Sequence, residues 1–299
     1  MRIAISGASG LIGTALTSAF RAENHTVAHL VRPGGTPSAG DIRWDPASSY
    51  ADVDALEGTD AVVHLSGASV AGGRWTPARK HLLRSSRIDT TRLLVDSFAR
   101  LKRKPSVFVS ASATGYYGNR SDEILSERSE PGTGFLAELA RDWEAEAARA
   151  AACGIRTVIL RFGVILSAAG GALPRMVAPF KFGLGGRVGN GRQWMPWVAL
   201  DDAAGIARFV IASNHISGPI NAVALPARNV DFARLMGKIL RRPAIVPVPA
   251  FSLRLAFGEM ADALLLSSQR AQPERLLGAG YPFRFKDIEM ALRAMLAMG

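Results

Sequence analysis

Cysteine is nearly absent from this chain. Its 299 residues contain one, Cys153, so no internal disulfide can form, and the usage fits a reducing cytoplasm. Cys153 follows an alanine-rich helical run and reads as packing. Aromatic residues make up only 7% and are not interleaved with a basic stripe, which a nucleic-acid reader needs. No uninterrupted apolar run reaches about 18 residues, so nothing is expected to span a membrane. No charged and then apolar leader precedes the strand-like run that begins at residue 2, so no signal peptide is expected. Lysine is scarce too. Of 36 basic residues only Lys80, Lys102, Lys104, Lys181, Lys238 and Lys286 are Lys, and with 25 acids the formal net charge is +11. An arginine bias follows codon usage as readily as function, and the arginines are scattered. The short run Lys102-Arg103-Lys104 sits at a helix end, where cations favour the dipole. A small anionic ligand accounts for the charge with less than a nucleic acid would.

What is present begins at once. Arg2-Ile3-Ala4-Ile5-Ser6 is a short β-like run feeding Gly7-Ala8-Ser9-Gly10-Leu11-Ile12-Gly13. Apolar residues then recur at helical spacing through Leu11, Ile12, Ala15, Leu16, Ala19 and Phe20. A strand, a glycine turn and a helix N-terminus make a phosphate cradle, because side-chain-free residues let backbone approach a pyrophosphate and unpaired N–H groups meet its charge. No Gly-Lys-Ser/Thr follows, which excludes a P-loop. A glycine trio alone fits an ordinary tight turn. Between a strand and an amphipathic helix it reads as a dinucleotide site, with Gly7, Ser9, Gly10, Leu11, Ile12 and Gly13 as its contacts.

Strand-like runs at 2–6, 26–31, 60–65, 106–110 and 155–161 alternate with helical patterns at 11–22, 76–102 and 134–152. With 48% hydrophobic residues the chain can bury a substantial core. The alternation predicts an α/β fold, a doubly wound parallel sheet with a smaller C-terminal α/β domain. The expected division is 1–165 for the dinucleotide domain and 166–299 for the substrate side, with 201–216 returning to the first. Glycines clustered over 170–191 suggest loops above a cleft, and Asp201-Asp202 should cap the helix that follows. The second strand ends His29-Leu30-Val31-Arg32. An acid there would bind the ribose 2′-hydroxyl of NAD, whereas Arg accommodates a 2′-phosphate, so Arg32 favours NADP over NAD. The competing reading is an Arg that merely ends a surface strand.

At this point the chain resembles an extended short-chain dehydrogenase/reductase, of the Rossmann type. Asp60 through Ala68 resembles the fourth strand, whose end implies Leu65, Ser66 and Gly67 beside the cofactor ribose. Arg87-Ile88-Asp89-Thr90-Thr91-Arg92-Leu93-Leu94 resembles an Asn-Val-x-Gly-Thr-x-x-Leu-Leu helix, with Arg87 for Asn. Val109-Ser110-Ala111-Ser112-Ala113-Thr114-Gly115-Tyr116-Tyr117-Gly118 resembles the fifth strand and places the active-site serine on Ser112. Ile159 through Val164 resembles the sixth strand, after which the family contacts nicotinamide. Ser110 and Val164 are thereby implied as cofactor contacts. Arg74-Trp75-Thr76, Asp142-Trp143-Glu144, Gly170-Gly171-Ala172-Leu173, Gly189 through Trp194 and Gly258-Glu259-Met260 resemble an atypical branch, the epimerase-family proteins with a C-terminal domain of unknown function.

Two departures stand out. The superfamily carries its proton on Tyr-x-x-x-Lys, where Lys lowers a tyrosine pKa from about 10. The four Tyr here are followed at +4 by Asp54, Arg120, Ser121 and Phe285, so the pair does not exist. The expected helix reads Phe135-Leu136-Ala137-Glu138-Leu139-Ala140. Nucleotide-sugar enzymes of the superfamily clamp a diphosphate with Arg in Gln-x-Arg-Asp-Phe-Val-His-Val-Asp-Asp. Here the run is Gln193-Trp194-Met195-Pro196-Trp197-Val198-Ala199-Leu200-Asp201-Asp202, with Met195 in the Arg position. Trp194, Met195 and Trp197 suggest an apolar ligand, or simply packed loop anchors. His25 and His29 lie about 13 Å apart on a strand and cannot share a metal, so no metal is expected. Arg87 reads either as a phosphate or nicotinamide contact or as a helix-surface ion pair. Glu144 reads either as a cleft carboxylate or as part of a solvated helix face.

The expectation is a cytoplasmic NADP-binding enzyme, oxidoreductase or epimerase-like, on an unknown small molecule. Ser112 would polarise the substrate oxygen, with Tyr116, Tyr117 or Glu144 carrying the proton. The alternative is a non-catalytic NADP(H)-dependent sensor or scaffold. Neither nucleic acid nor membrane is expected as a partner, and the oligomeric state stays open.

Overall fold

The run Arg2–Ser6 (β1) is buried from Ile3 to Ser6, as a strand covered on both faces must be. It lies between Thr26–Val31 (β2) and Ala61–His64 (β5). The computed structural model describes residues 1–297; Met298 and Gly299, the last of the expected second domain, lie outside the described residues. With Ile42–Asp45 (β3), Tyr50–Ala51 (β4), Val107–Ala113 (β6), Arg156–Phe162 (β7) and Gly218–Ala222 (β8), these strands form an 8-stranded sheet in the order β8-β7-β6-β5-β1-β2-β3-β4. Every pairing is parallel except β3 with β4. The order reverses between β1 and β5, and the carboxyl ends of those strands open the crevice where such sheets bind ligands.

Alternate residues of β1 serve opposite faces. Ile3 and Ile5 join Leu16 and Phe20 of Leu11–Ala22 (α1), and beyond them Ile206 and Ala207 of Leu200–Ala212. Ala4 joins Leu94 and Phe98 of Ile88–Ala99 (α2) on the other side. The helix Phe135–Ala148 (α3) covers β6 and β7, and Leu200–Ala212 becomes α4 in chain order. A third cluster unites Leu173, Phe180 and Trp197 with Phe232 and Met236 of Asn229–Leu240 (α5) and Leu292 of Ile288–Leu296 (α6). This is the core of the smaller C-terminal part. Residues 200–222 therefore return to the main sheet as helix and strand, further than 201–216. The helical stretch 76–102 is two helices, Pro77–Ser85 and α2. Asp202 does not cap its own helix. Its carboxylate accepts from the backbone N–H groups of Arg284 (2.8 Å) and Phe285 (3.1 Å), tying the C-terminal part to α4.

A polar row crosses the sheet beneath the crevice: Ser6, His64 and Ser110 are in register and fully buried. Ser6 Oγ lies 2.6 Å from His64 Nδ1 and also accepts the Leu65 N–H, so the turn leaving β5 is pinned to β1. Burial pulls the His64 pKa down to about 3 from 6.5. The unfolded chain binds a proton at this site between those values and the folded one does not, so stability falls as pH drops from 6.5 toward 3. The share lost between pH 7 and pH 5 should be about 2 kcal/mol. Urea unfolding of wild type and His64→Gln at both pH values should show the variant losing less stability by that amount. Equal losses would mean that His64 is protonated in the fold.

Candidate functional site

The crevice is built from backbone. Gly7 holds φ +70°, and a Cβ there would sit 2.8 Å from the Leu65 carbonyl carbon and oxygen. A Cβ on Gly13 would meet the Gly7 oxygen at 2.3 Å and Ala8 Cα at 2.7 Å. These glycines let β1, the turn and α1 close on the chain leaving β5. Gly10 precedes α1 without any side-chain cap, so the first-turn N–H groups stay free for an anion. Ser9 and Gly10 are exposed, Leu11 and Ile12 half-buried, and the Gly170-Gly171 turn packs against Leu11. Across the crevice Ser66 is half-buried and Gly67 exposed. A dinucleotide pyrophosphate fits this cradle: the space a Cβ would fill is closed by backbone, and the remaining donors are N–H groups.

Arg32 stands exposed immediately past β2, with no ion pair among the described residues. Of the two acids nearest in sequence, Glu23 lies beside His25 and Arg208, and Asp41 is held by backbone. Its carboxylate accepts from the N–H groups of His29 and Ser38, each at 2.8 Å. Arg87 is neither a surface ion pair nor an open cleft residue. Its guanidinium donates to the Ala68 (3.0 Å) and Leu83 (3.2 Å) carbonyls and lies over the Trp143 ring at 5.3 Å. Burial, and then the charge of Arg79, lower its pKa to about 10. It props the loop after β5 against Gly67, where a Cβ would stand 3.1 Å from its Cζ.

Two implied contacts are placed differently from the expectation. β6 runs to Ala113, so Ser110 lies inside the strand, fully buried, with its hydroxyl on the Ala111 carbonyl. It is too deep to touch a ligand at the strand's edge. Val164 is half-exposed but begins a short strand, Val164–Leu166, and its N–H is taken by the Pro196 carbonyl at 2.8 Å. Its side chain packs against the core of the C-terminal part, so neither its N–H nor its side chain is free for a nicotinamide.

The candidate catalytic residues meet in a buried network that the sequence did not announce. Ser112 Oγ donates to Glu144 Oε1 at 2.6 Å. Arg161, next to last in β7 and in register with Ser112, donates from Nε to the same oxygen (2.8 Å) and from Nη2 to Oε2 (2.7 Å). Its Nη1 donates to the Tyr117 hydroxyl at 2.9 Å, and that hydroxyl donates to Asn221 Oδ1 of β8 at 2.6 Å. Ser112, Glu144, Arg161, Tyr117 and Asn221 are all less than one-tenth exposed. Glu144 is thus not part of a solvated helix face. Burial pulls the Arg161 pKa down, but the Glu144 carboxylate and the Tyr117 oxygen outweigh it, and the guanidinium stays charged. Burial raises Tyr117 to about 12 against the pull of Arg161. Tyr116 is only half-buried, its ring 3.6 Å from Arg161 Cζ, and burial raises its pKa as well. Arg161 and Asn221 were missed by sequence reasoning. One signal existed for the former, a charge inside the apolar run Ile159-Leu160-Arg161-Phe162, because a buried charge demands a partner.

Beside the network, a cleft of about 330 Å³ opens between Gly115, Thr133 and Phe135 on one side and Arg254, Glu259 and Gln269 on the other. Trp197 is fully buried, its Nε1 donating to the Leu225 carbonyl, and is a core anchor. Trp194 is clamped between Arg228 and Arg270, and its Nε1 donates to Asp122 at 2.7 Å. Neither indole offers a free apolar wall.

Residues 3–222 match the NAD dependent epimerase/dehydratase family, and residues 248–295 match a domain of unknown function, DUF1731. An epimerase family protein of Mycobacterium tuberculosis is 44% identical over 291 residues, 97% of this chain and 96% of that one. One from Bacillus subtilis is 36% identical over 302 residues, 99% of this chain and 98% of that one. The crystal structure of human epimerase family protein SDR39U1 (isoform 2) with NADPH matches with a TM-score of 0.89 at 32% identity, over 99% of each chain.

Removing one partner of a buried ion pair strands the other charge, at a cost of about 3–5 kcal/mol. Glu144→Ala should therefore lower unfolding stability by that amount in denaturant titration. A loss below about 1 kcal/mol would mean that water already reaches Arg161 in the folded protein.

Proposed function

The chain belongs to the NAD dependent epimerase/dehydratase family, and from that premise we propose that it is an NADP(H)-binding oxidoreductase or epimerase-like enzyme acting on a small molecule without a Tyr-x-x-x-Lys pair. The observation that carries the cofactor choice is Arg32, exposed past β2 and in no ion pair among the described residues, with Asp41 engaged by the His29 and Ser38 N–H groups. That the human relative was solved with NADPH supports the same choice. Gly7, Gly10 and Gly13 would hold the pyrophosphate, Leu65 through Gly67 the nicotinamide ribose, and Arg32 the 2′-phosphate. A nicotinamide nucleotide held by these residues would supply hydride chemistry to a small molecule. The single cysteine fits a cytoplasmic setting, and no helix among the described residues is long and apolar enough to cross a membrane.

The proton side of the reaction falls to Tyr116. Tyr117 is committed to Asn221, and Ser112 to Glu144. A tyrosine whose pKa is raised keeps its proton at neutral pH and gives it up only to a strong base, such as an alkoxide forming on a reduced carbonyl. Glu144 acts at one remove, by holding Arg161 under the Tyr116 ring. The committed hydroxyls of Ser112 and Tyr117 also suit a second reading, an NADP(H)-responsive binding protein. Deuterium transfer from NADPH labelled at C4 into a small-metabolite extract separates the two. Label in a product supports the enzyme. Tight NADPH binding with no label moved supports the sensor.

A charge-assisted hydrogen bond to phosphate contributes about 1.5–3 kcal/mol, roughly 10–150-fold in affinity. Arg32→Ser should weaken NADPH by that factor in calorimetry and leave NADH nearly unchanged, and the preference should shrink as salt rises. Equal weakening of both nucleotides would assign Arg32 to the loop fold alone.

A further inference from the structure

Acidic residues are absent from two long stretches, 147–200 and 232–258, although the chain holds 25 of them. The fold brings parts of both stretches together. The Val246 N–H donates to the Gly185 carbonyl (3.1 Å), the Val248 N–H to the Arg187 carbonyl (2.9 Å), and the Gly189 N–H to the Val248 carbonyl (2.9 Å). Gly186 has no room for a side chain, since a Cβ would lie 2.1 Å from the Val246 oxygen. The loops 182–186 and 241–248 are thus locked edge to edge. Their large side chains stand outward: Phe182 is 80% exposed, Leu184 61%, Ile245 80% and Val246 41%. Large apolar residues scattered singly need no explanation, but four on two joined loops form a patch. Around it stand Lys181, Arg187, Arg241 and Arg242, all exposed and none in an ion pair among the described residues. A cavity of about 290 Å³ lies behind Ile245, walled by Val230, Ala233 and Pro247 with Arg187 and Arg234 at its lips.

We propose that this face docks on an anionic lipid surface. Phe182, Leu184, Ile245 and Val246 enter the interfacial layer, while Lys181, Arg187, Arg241 and Arg242 meet the headgroups. A surface contact of this kind needs no spanning helix. The charge argues against a second copy of the same face, because a symmetric contact would set eight unpaired cations against one another. The nucleotide crevice has no part in the contact.

The test is sedimentation of the whole protein with vesicles of phosphatidylcholine alone and with about one-third phosphatidylglycerol. Wild type should partition at least tenfold more onto the anionic vesicles and leave them in 0.5 M salt. Phe182→Ser/Ile245→Ser and Arg241→Glu/Arg242→Glu should each lose at least tenfold, with NADPH affinity unchanged. Equal partition onto both vesicle types, or a double variant that binds like wild type, overturns the proposal. Sedimentation velocity on the same proteins gives the other overturning result, a wild-type dimer that Phe182→Ser/Ile245→Ser dissociates. Binding to a polyglutamate column that anionic vesicles fail to displace also overturns it, in favour of an acidic protein.

Discussion

The substrate side of the sheet depends on one buried guanidinium. Arg161 sits near the carboxyl end of β7, 3% exposed. Taking a charge that far from water costs several kcal/mol unless carboxylate and hydrogen bonds replace the solvent. The replacement fixes much of the surrounding geometry. Glu144 must come from α3 with both oxygens turned inward, which sets the rotation of that helix on β6 and β7. The turn after β6 must present the Tyr117 oxygen to Nη1 and the Tyr116 ring to the flat face of the guanidinium. Asn221 then receives the Tyr117 proton and passes the constraint outward, its Nδ2 donating to the Gln272 carbonyl at 2.9 Å. One charge in a strand thereby links the last strand of the sheet to the C-terminal part.

The same pair explains why a tyrosine here does not behave like one beside a lysine. A lone cation near a phenol lowers its pKa by favouring the phenolate. Here burial raises the Tyr116 pKa most, Arg161 pulls it down, and Glu144, 2.7 Å from Arg161, offsets part of that pull. Burial then decides the sign. The cation is present and lowers the phenol's pKa, but burial outweighs it.

Much of this was legible in the sequence where backbone sets the geometry. The apolar run of β1, the glycines at 7, 10 and 13 and the amphipathic α1 agree at every level, so strand, turn and helix fell where expected. Length and polarity hid other elements. β3 and β4 are short with charged or exposed members, and β8 contains Pro219 and Asn221. An edge strand tolerates that proline because one side of it has no partner. The break between Pro77–Ser85 and α2 carries neither Gly nor Pro. It is stabilised instead by tertiary contacts, the Arg87 guanidinium on the Ala68 carbonyl and the Ser86 hydroxyl accepting the Ala68 N–H. Ser112 was legible as a position and not as an orientation. Which way its hydroxyl turns depends on Glu144, 32 residues later, and on the charge that Glu144 must satisfy.

The two edges of the C-terminal part are held by different physics. On one edge the contacts are buried or partly buried: Asn221 to Gln272, Asp202 to the backbone of Arg284 and Phe285, and the Tyr281 hydroxyl on the Asp202 carbonyl. On the other edge Lys80 pairs with Glu259, their side chains 32% and 48% exposed, and Arg74 reaches the Leu255 carbonyl at 3.4 Å. Exposed pairs of that kind contribute about 0–1 kcal/mol, whereas breaking a buried hydrogen bond costs about 1–3. Glu259 and Arg254 line the cleft, so the weak edge is also its mouth. The helix Ala250–Phe257 at that mouth continues directly from the loop that carries Ile245 and Val246. The mouth of the cleft is thus held by one exposed ion pair and one exposed hydrogen bond, while the other edge ties the C-terminal part to the sheet.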